Sequence, residues 1–213
     1  QARTELAWAT RHFQLRQALE KGEGETLFCG DSITHFWETE GREVWSGRLA
    51  GWKPVDDGIA GDQTVHLLWR LKNTSFEGSS LRRVVLLIGV NDLLAGVPVE
   101  RVDAGIAANL RLLLEKLPQA QVLLMGVFPY GAEPHPGRRD VEDLNRRLAG
   151  HAGGRVHFLD MGRDFVDERG HIPADLMHDE LHLSAEGYSL WALRLEDTRV
   201  WIQSPEDTRQ PVK

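Results

Sequence analysis

Four short apolar runs rich in Val, Leu and Phe, at 26–29, 84–88, 122–128 and 156–159, punctuate the chain. Each ends in a turn containing Gly or Pro, after which a helix-like segment begins. Helical periodicity falls at roughly 62–73, 98–117, 138–149 and 184–202, and a weaker extended piece at 52–55 precedes the first of these. Strands that are nearly all apolar, alternating with helices, predict a parallel sheet covered on both faces. Ahead of them, residues 3–21 carry Leu6, Trp8, Phe13, Leu15 and Leu19 among charges, an approximate helical stripe that Gly22 and Gly24 stop. Residues 1–23 are therefore read as a lead-in helix and the polar, proline-containing residues 203–213 as a loose tail, on a single α/β domain spanning 1–213.

Composition narrows the function classes. At 213 residues and 41% hydrophobic the chain can bury one sizeable core. The net charge of −7 comes without any run of Lys or Arg, which argues against nucleic acid and anionic membrane surfaces as partners. No apolar run approaches a membrane span, so no membrane insertion is expected. The single cysteine, Cys29, excludes an internal disulfide and a cysteine-rich zinc site, and its place in an apolar run reads as a small core residue. The compartment stays open: secreted or periplasmic if Gln1 follows a removed signal peptide, cytoplasmic otherwise. The oligomeric state is also open, a homodimer included.

The chemistry is concentrated where the runs end. In "TLFCGDSITHFW" the first run breaks at Gly30-Asp31-Ser32, which puts a hydroxyl at the carboxyl end of a strand, where ligands bind in a doubly wound sheet. Serine is a weak nucleophile and needs a base, usually a histidine whose tautomer a third group fixes. Of nine histidines, most lie in helical segments or polar loops. The exception is "LMHDELHLSAEGYSLW", where Ser184 caps the last helix and leaves Asp179 and His182 three residues apart in the loop ahead of it. An acyl-transfer site also needs donors for the oxyanion. "DGIAGDQT" offers the backbone of Gly61 at a helix start, and "VVLLIGVND" offers the Asn91 amide at the end of a strand.

These four segments resemble, in order and spacing, the SGNH (GDSL-type) hydrolases: Ser32 in "GDSIT", Gly61 in "GIAGD", Asn91 in "GVND" and His182 in "DELH". Within that family the text from about residue 24 to 195, including "GIAGDQTVHLLWRLKN", "VLLMGVFPYGAEPHP" and "LHLSAEGYSLWA", is most similar to the catalytic subunits of platelet-activating-factor acetylhydrolase and their bacterial relatives. One local departure is Asp92, where those subunits carry a second asparagine. The resemblance implies a flavodoxin-like three-layer αβα sandwich with a five-stranded parallel sheet. It implies hydrolysis of a small-molecule ester through an acyl-enzyme, with no cofactor; no metal is expected. It assigns Ser32 as nucleophile, His182 as base and then acid, Asp179 as the group orienting His182, and the backbone N–H groups of Ser32 and Gly61 with the Asn91 amide as oxyanion hole. It also implies that Ile33, Val90 and Leu181 bound the acyl slot. Three branched apolar side chains there lead to an expectation of acetyl esters, and tryptophans 37, 45 and 52, if they line a cleft, to a carbohydrate as the alcohol half. An acetylated phospholipid is the alternative.

Two rivals are weighed against this reading. "HDELH" has histidines at i and i+4, as in a zinc-binding helix, but its glutamate stands one place late and the segment precedes a helix cap. A non-catalytic sugar-binding module on the same scaffold would use the seven tryptophans without needing Ser32, Asp179 and His182.

Overall fold

The computed structural model describes residues 5–22 and 24–198. Five strands, β1 (Thr26–Gly30), β2 (Pro54–Gly58), β3 (Arg83–Leu87), β4 (Gln121–Met125) and β5 (Val156–Leu159), form one sheet. The order is β2-β1-β3-β4-β5 and every neighbouring pair is parallel. This is the flavodoxin-like order, in which the chain leaves β1 for one side and later returns to build on the other. The helices are α1 (Leu6–Glu20), α2 (Ser32–His35), α3 (Arg42–Ser46), α4 (Thr64–Lys72), α5 (Val90–Leu94), α6 (Val99–Lys116), α7 (Pro136–Ala149) and α8 (Ala185–Asp197). Right-handed crossovers send α3 to one face of the sheet and α4, α6 and α7 to the other, with which the packing of α6 on α4 and α7 agrees, and α8, after the last strand, packs on α3. Among the described residues no helix is long and apolar enough to cross a membrane.

Most element boundaries agree with the apolar pattern to within three residues, and the exceptions have physical causes. The extended piece expected at 52–55 is the strand Pro54–Gly58, while Trp52 belongs to a 3₁₀ turn before it. Asp56 and Asp57 hide the strand from a hydropathy reading, yet both are buried. Arg11 lies 3.7 Å from the Asp56 carboxylate and Arg70 lies 2.7 Å from that of Asp57. The run 122–128 overshoots because Val127 and Phe128 are buried outside the strand. There the Asn145 side chain takes the place of a ladder partner, accepting from Val127 N–H and donating to Val127 C=O. Residues 199–202 of the last expected helix and the tail 203–213 lie outside the described residues.

The lead-in helix forms, but it buries only part of its apolar stripe. Trp8, His12 and Leu19 are buried, whereas Leu6 is 82% exposed and Phe13 50%. Trp8 and His12 turn inward because they pack with Trp69 of α4 at ring distances of 5.3–5.6 Å. Burial, helped by the positive charges of Arg70 and Arg16, lowers the His12 pKa to about 4, so this imidazole is neutral in the packed cluster.

The tryptophans expected to line a cleft do not form one. Trp37 is fully buried at the centre of an aromatic cluster with Phe28, Trp45, Tyr188 and Trp191, at ring distances of 4.4–6.1 Å. Trp45 packs on Phe28 of β1, and Trp52 lies at the amino ends of the strands, where its carbonyl accepts from Thr26. Each well-placed aromatic pair is worth about 0.5–1.5 kcal/mol beyond its buried area. The cluster therefore clamps α8 and the segment around Trp37 onto β1, which is a structural task.

Candidate active site

Ser32 opens α2 directly beyond β1, and Asn91 lies in α5 directly beyond β3, so the two flank the point where strand order reverses. The approach is close because two glycines remove side chains in its way. A Cβ on Gly30 would meet the Leu87 carbonyl oxygen at 2.4 Å, and one on Gly58 would meet the His35 nitrogen at 2.2 Å. Backbone cannot yield at such distances, so only glycine lets α2 sit on the ends of β1 and β2. Asp31 caps the helix, accepting from Ile33 N–H at 3.0 Å.

His182 reaches Ser32 from 150 residues away in sequence. Its Nε2 is 3.0 Å from Ser32 Oγ and its Nδ1 is 2.7 Å from Asp179 Oδ2. The segment that presents them is a turn, closed by a bridge between Met177 and Leu183, and not the helix that a zinc-type reading of "HDELH" requires. Glu180 adopts a left-handed φ of 57°, which folds the turn so that Asp179 and His182 face the same way. The other carboxylate oxygen, Asp179 Oδ1, accepts from the backbone N–H of Leu181 and of His182. Partial burial pushes the Asp179 carboxyl up, but the hydrogen bonds and charge of His182 with the Leu181 amide outweigh it and bring its pKa down to about 2. Asp179 is thus ionised wherever the chain is folded at ordinary pH. Both ring nitrogens of His182 are engaged, one by an acid that only accepts and one by a hydroxyl that can donate, which fixes Nδ1 as the protonated nitrogen.

The turn is held to Ser32 through α8. Tyr188 Oη donates to the Ile33 carbonyl at 2.7 Å, and Ser184 caps α8 by accepting from Gly187 N–H. Phe36 stands 5.1 Å from the His182 ring and walls it on the α2 side, a contact that sequence reasoning missed because nothing in "HFW" marks it.

The segments that carry the donors expected for an oxyanion are tied to one another by hydrogen bonds. Gly61, exposed and at φ 77°, sits in the turn between β2 and α4. That turn is tied to the segment carrying Ser32 by Ile59 N–H on the Gly30 carbonyl, and by Ala60 N–H on His35 Nδ1. Asn91 Nδ2 donates one N–H to the Asp62 carbonyl at 3.0 Å, and Gln63 donates to the Asn91 carbonyl. Asp92 accepts from both the backbone and the hydroxyl of Thr64, so the residue that departs from the acetylhydrolase pattern joins the start of α4 to α5. Of the residues expected to bound an acyl slot, Ile33 and Val90 are 1% and 3% exposed and Leu181 is half-buried. A cavity of about 700 Å³ lies elsewhere, between α7 and the segment after β5, and includes none of the residues named for the site.

Burial, reinforced by the charges of Asp62 and Asp92, drives the Asp31 carboxyl up to about 7 against the pull of its bond from Ile33 N–H. Unfolded, the same group titrates near 3.8. Between these values the folded chain holds a proton that the unfolded chain lacks, so Asp31 makes stability fall as pH rises through that window and level off above it. Asp31→Asn keeps the cap and never charges. Its Tm advantage over the wild type is expected to be several degrees larger at about pH 8 than at about pH 5. Equal differences at the two pH values would show that Asp31 does not titrate there.

The profile of the GDSL-like Lipase/Acylhydrolase family matches residues 28–190. Human platelet-activating factor acetylhydrolase IB subunit alpha1 is 37% identical over 186 residues, 85% of this chain and 78% of that protein. Among solved structures, one from Streptococcus pneumonia has a TM-score of 0.78 at 23% identity, covering 89% of this chain and 91% of that one. A variant of an acetyl xylan esterase from Geobacillus stearothermophilus has a TM-score of 0.64 at 20% identity, covering 84% and 95%.

Proposed function

The chain belongs to the GDSL-like lipase/acylhydrolase family and is a carboxylic ester hydrolase, and from that premise we propose that it cleaves short acyl esters, acetyl above all, through an acyl-enzyme on Ser32. The single observation that carries the mechanism is the unbroken line from Ser32 Oγ through His182 to Asp179, at 3.0 and 2.7 Å. Ser32 Oγ attacks the ester carbonyl carbon while His182 Nε2 takes its proton. The oxyanion of the tetrahedral intermediate is met by the N–H groups of Ser32 and Gly61 and the second amide N–H of Asn91. His182 returns the proton to the departing alcohol, leaving Ser32 acylated. A water molecule then attacks the acyl group, His182 again taking and returning the proton, and the acid leaves. Asp179 keeps the ring in one tautomer and offsets the charge it carries between the transfers.

A small acyl group fits the walls. Ile33 and Val90 are core residues with no room to recede, and forcing extra methylenes against packed side chains costs about 1–3 kcal/mol. For the alcohol half, a carbohydrate is supported only by the fold shared with the acetyl xylan esterase, since the tryptophans that suggested it are structural. An acetylated phospholipid has a specific observation in its favour. Leu94 of α5, three residues beyond Asn91, is 50% exposed, and Val65 of α4, two beyond Gln63, is 45% exposed, so each of the two helices that start near the site carries an exposed aliphatic side chain in its first turns. It also suits the 37% identity to a platelet-activating factor acetylhydrolase subunit. The test is kcat/KM for acetyl, butanoyl, hexanoyl and octanoyl esters, each on saccharide, aryl and glycerophospholipid alcohols. The proposal expects acetyl to lead hexanoyl by about fivefold or more, the ratio that a penalty of about 1–3 kcal/mol gives. Values that climb steadily from acetyl to octanoyl would contradict it.

A further inference from the structure

Arg70 lies on α4, where an arginine would ordinarily reach solvent, yet it is 1% exposed. Its guanidinium is the centre of a buried network directly beneath the site. Nε donates to Asp62 Oδ2 at 2.8 Å, and Nη1 lies 2.7 Å from Asp57 Oδ1. Nη2 donates to the Asp57 carbonyl at 2.9 Å and to the Gly30 carbonyl at 3.3 Å. Burial opposes its charge, but Asp57 and Asp62 outweigh that and raise its pKa, so it stays a cation. Asp62, itself fully buried, also accepts from Trp8 Nε1 of α1 at 2.6 Å.

What distinguishes this network is where its acceptors sit. Gly30 is two residues before Ser32, Asp62 is next to Gly61, and the Asp62 carbonyl is the acceptor that holds the Asn91 amide. A buried ion pair is a poor device for stability, because desolvating both charges offsets most of the attraction. A rigid planar fork that grips two loops at once is a good device for fixing their separation. We propose that Arg70, with Trp8 as its auxiliary, is the positioning residue of the oxyanion hole: one guanidinium sets the segment carrying Ser32, the Gly61 turn and, through Asp62, the Asn91 amide in register. The lead-in helix α1 thereby takes part in transition-state stabilisation without touching substrate. The inference rests on the acyl-enzyme reading given above.

The test is a double-mutant cycle. Arg70→Lys keeps the charge and loses the fork, Trp8→Phe removes one donor and keeps an aromatic side chain, and each is made alone and with Asn91→Ala. Folded enzyme is counted by stoichiometric fluorophosphonate labelling of Ser32, and kcat is expressed per labelled site. Arg70→Lys is expected to lower kcat by about tenfold to a hundredfold, the scale of a small misplacement, with KM nearly unchanged. Trp8→Phe is expected to lower kcat by about threefold to tenfold, the worth of one hydrogen bond. In the Asn91→Ala background both losses are expected to shrink, because the donor being positioned is gone. Losses that vanish when expressed per labelled site, or that multiply in full with Asn91→Ala, would overturn the proposal. If Arg70→Lys does not fold, the Trp8→Phe cycle decides by the same criteria. Failure of the underlying reading looks different, since wild-type Ser32 would then not be labelled at all.

Discussion

Ser32→Ala is expected to lower kcat by a factor on the order of 10⁶, the loss seen when a serine nucleophile is removed from a coupled triad. The fold is expected to survive. Ser32 Oγ has His182 Nε2 as its partner, so the substitution strands no core donor and removes no packed methyl group. The hydrogen bond from Ile33 N–H to Asp31, the Tyr188 bond to the Ile33 carbonyl and the close contacts around Gly30 and Gly58 involve other residues. The measurements are kcat on an acetyl ester and Tm on the same preparation. A Tm near that of the wild type with turnover at background is the expected pair. Turnover within tenfold of the wild type would mean that another group attacks the ester.

Asp179→Asn is expected to cost on the order of 10⁴ in kcat with little change in Tm. The reason lies in the two backbone amides. Asp179 Oδ1 accepts from Leu181 and His182 N–H, so an asparagine must place its oxygen there and turn its NH₂ group to His182 Nδ1. An NH₂ group facing Nδ1 demands that Nδ1 accept, which moves the ring proton to Nε2, where it faces Ser32 Oγ and blocks proton abstraction. The same two amides keep the turn folded in the variant. Activity within tenfold of the wild type would show that Asp179 does not set the tautomer.

Much of this arrangement was legible in the sequence because it depends on local signals. Apolar runs that stop at glycine marked the strand ends, and Ser184 ahead of an apolar helix placed Asp179 and His182 in a turn. The geometry brings Ser32, His182 and Asp179 into one line and puts Asn91 beside the Gly61 turn. What stayed hidden depends on contacts between segments far apart. Arg70 reads as an exposed helical charge until β2 brings Asp57 beneath it and the next turn brings Asp62. The strand carrying Asp56 and Asp57 is invisible to hydropathy for the same reason, since its carboxyl groups are buried beside arginines from α1 and α4. The tryptophans misled in the opposite direction. Their number suggested a binding surface, and nothing local distinguishes Trp37 at the middle of a core from one on a cleft wall.

The acyl-enzyme on Ser32 is the central claim, and rapid-quench peptide mapping tests it most directly. The protein is mixed with excess aryl acetate, quenched in acid during the first turnover, digested, and each peptide weighed. The account predicts one acetyl group on the peptide containing Gly30-Asp31-Ser32, located at Ser32 by fragmentation, formed in step with a burst of the aryl alcohol. It predicts none in Ser32→Ala. A burst with the acetyl group on another side chain, or full-rate turnover by direct attack of water with no acetyl on any peptide, would contradict it.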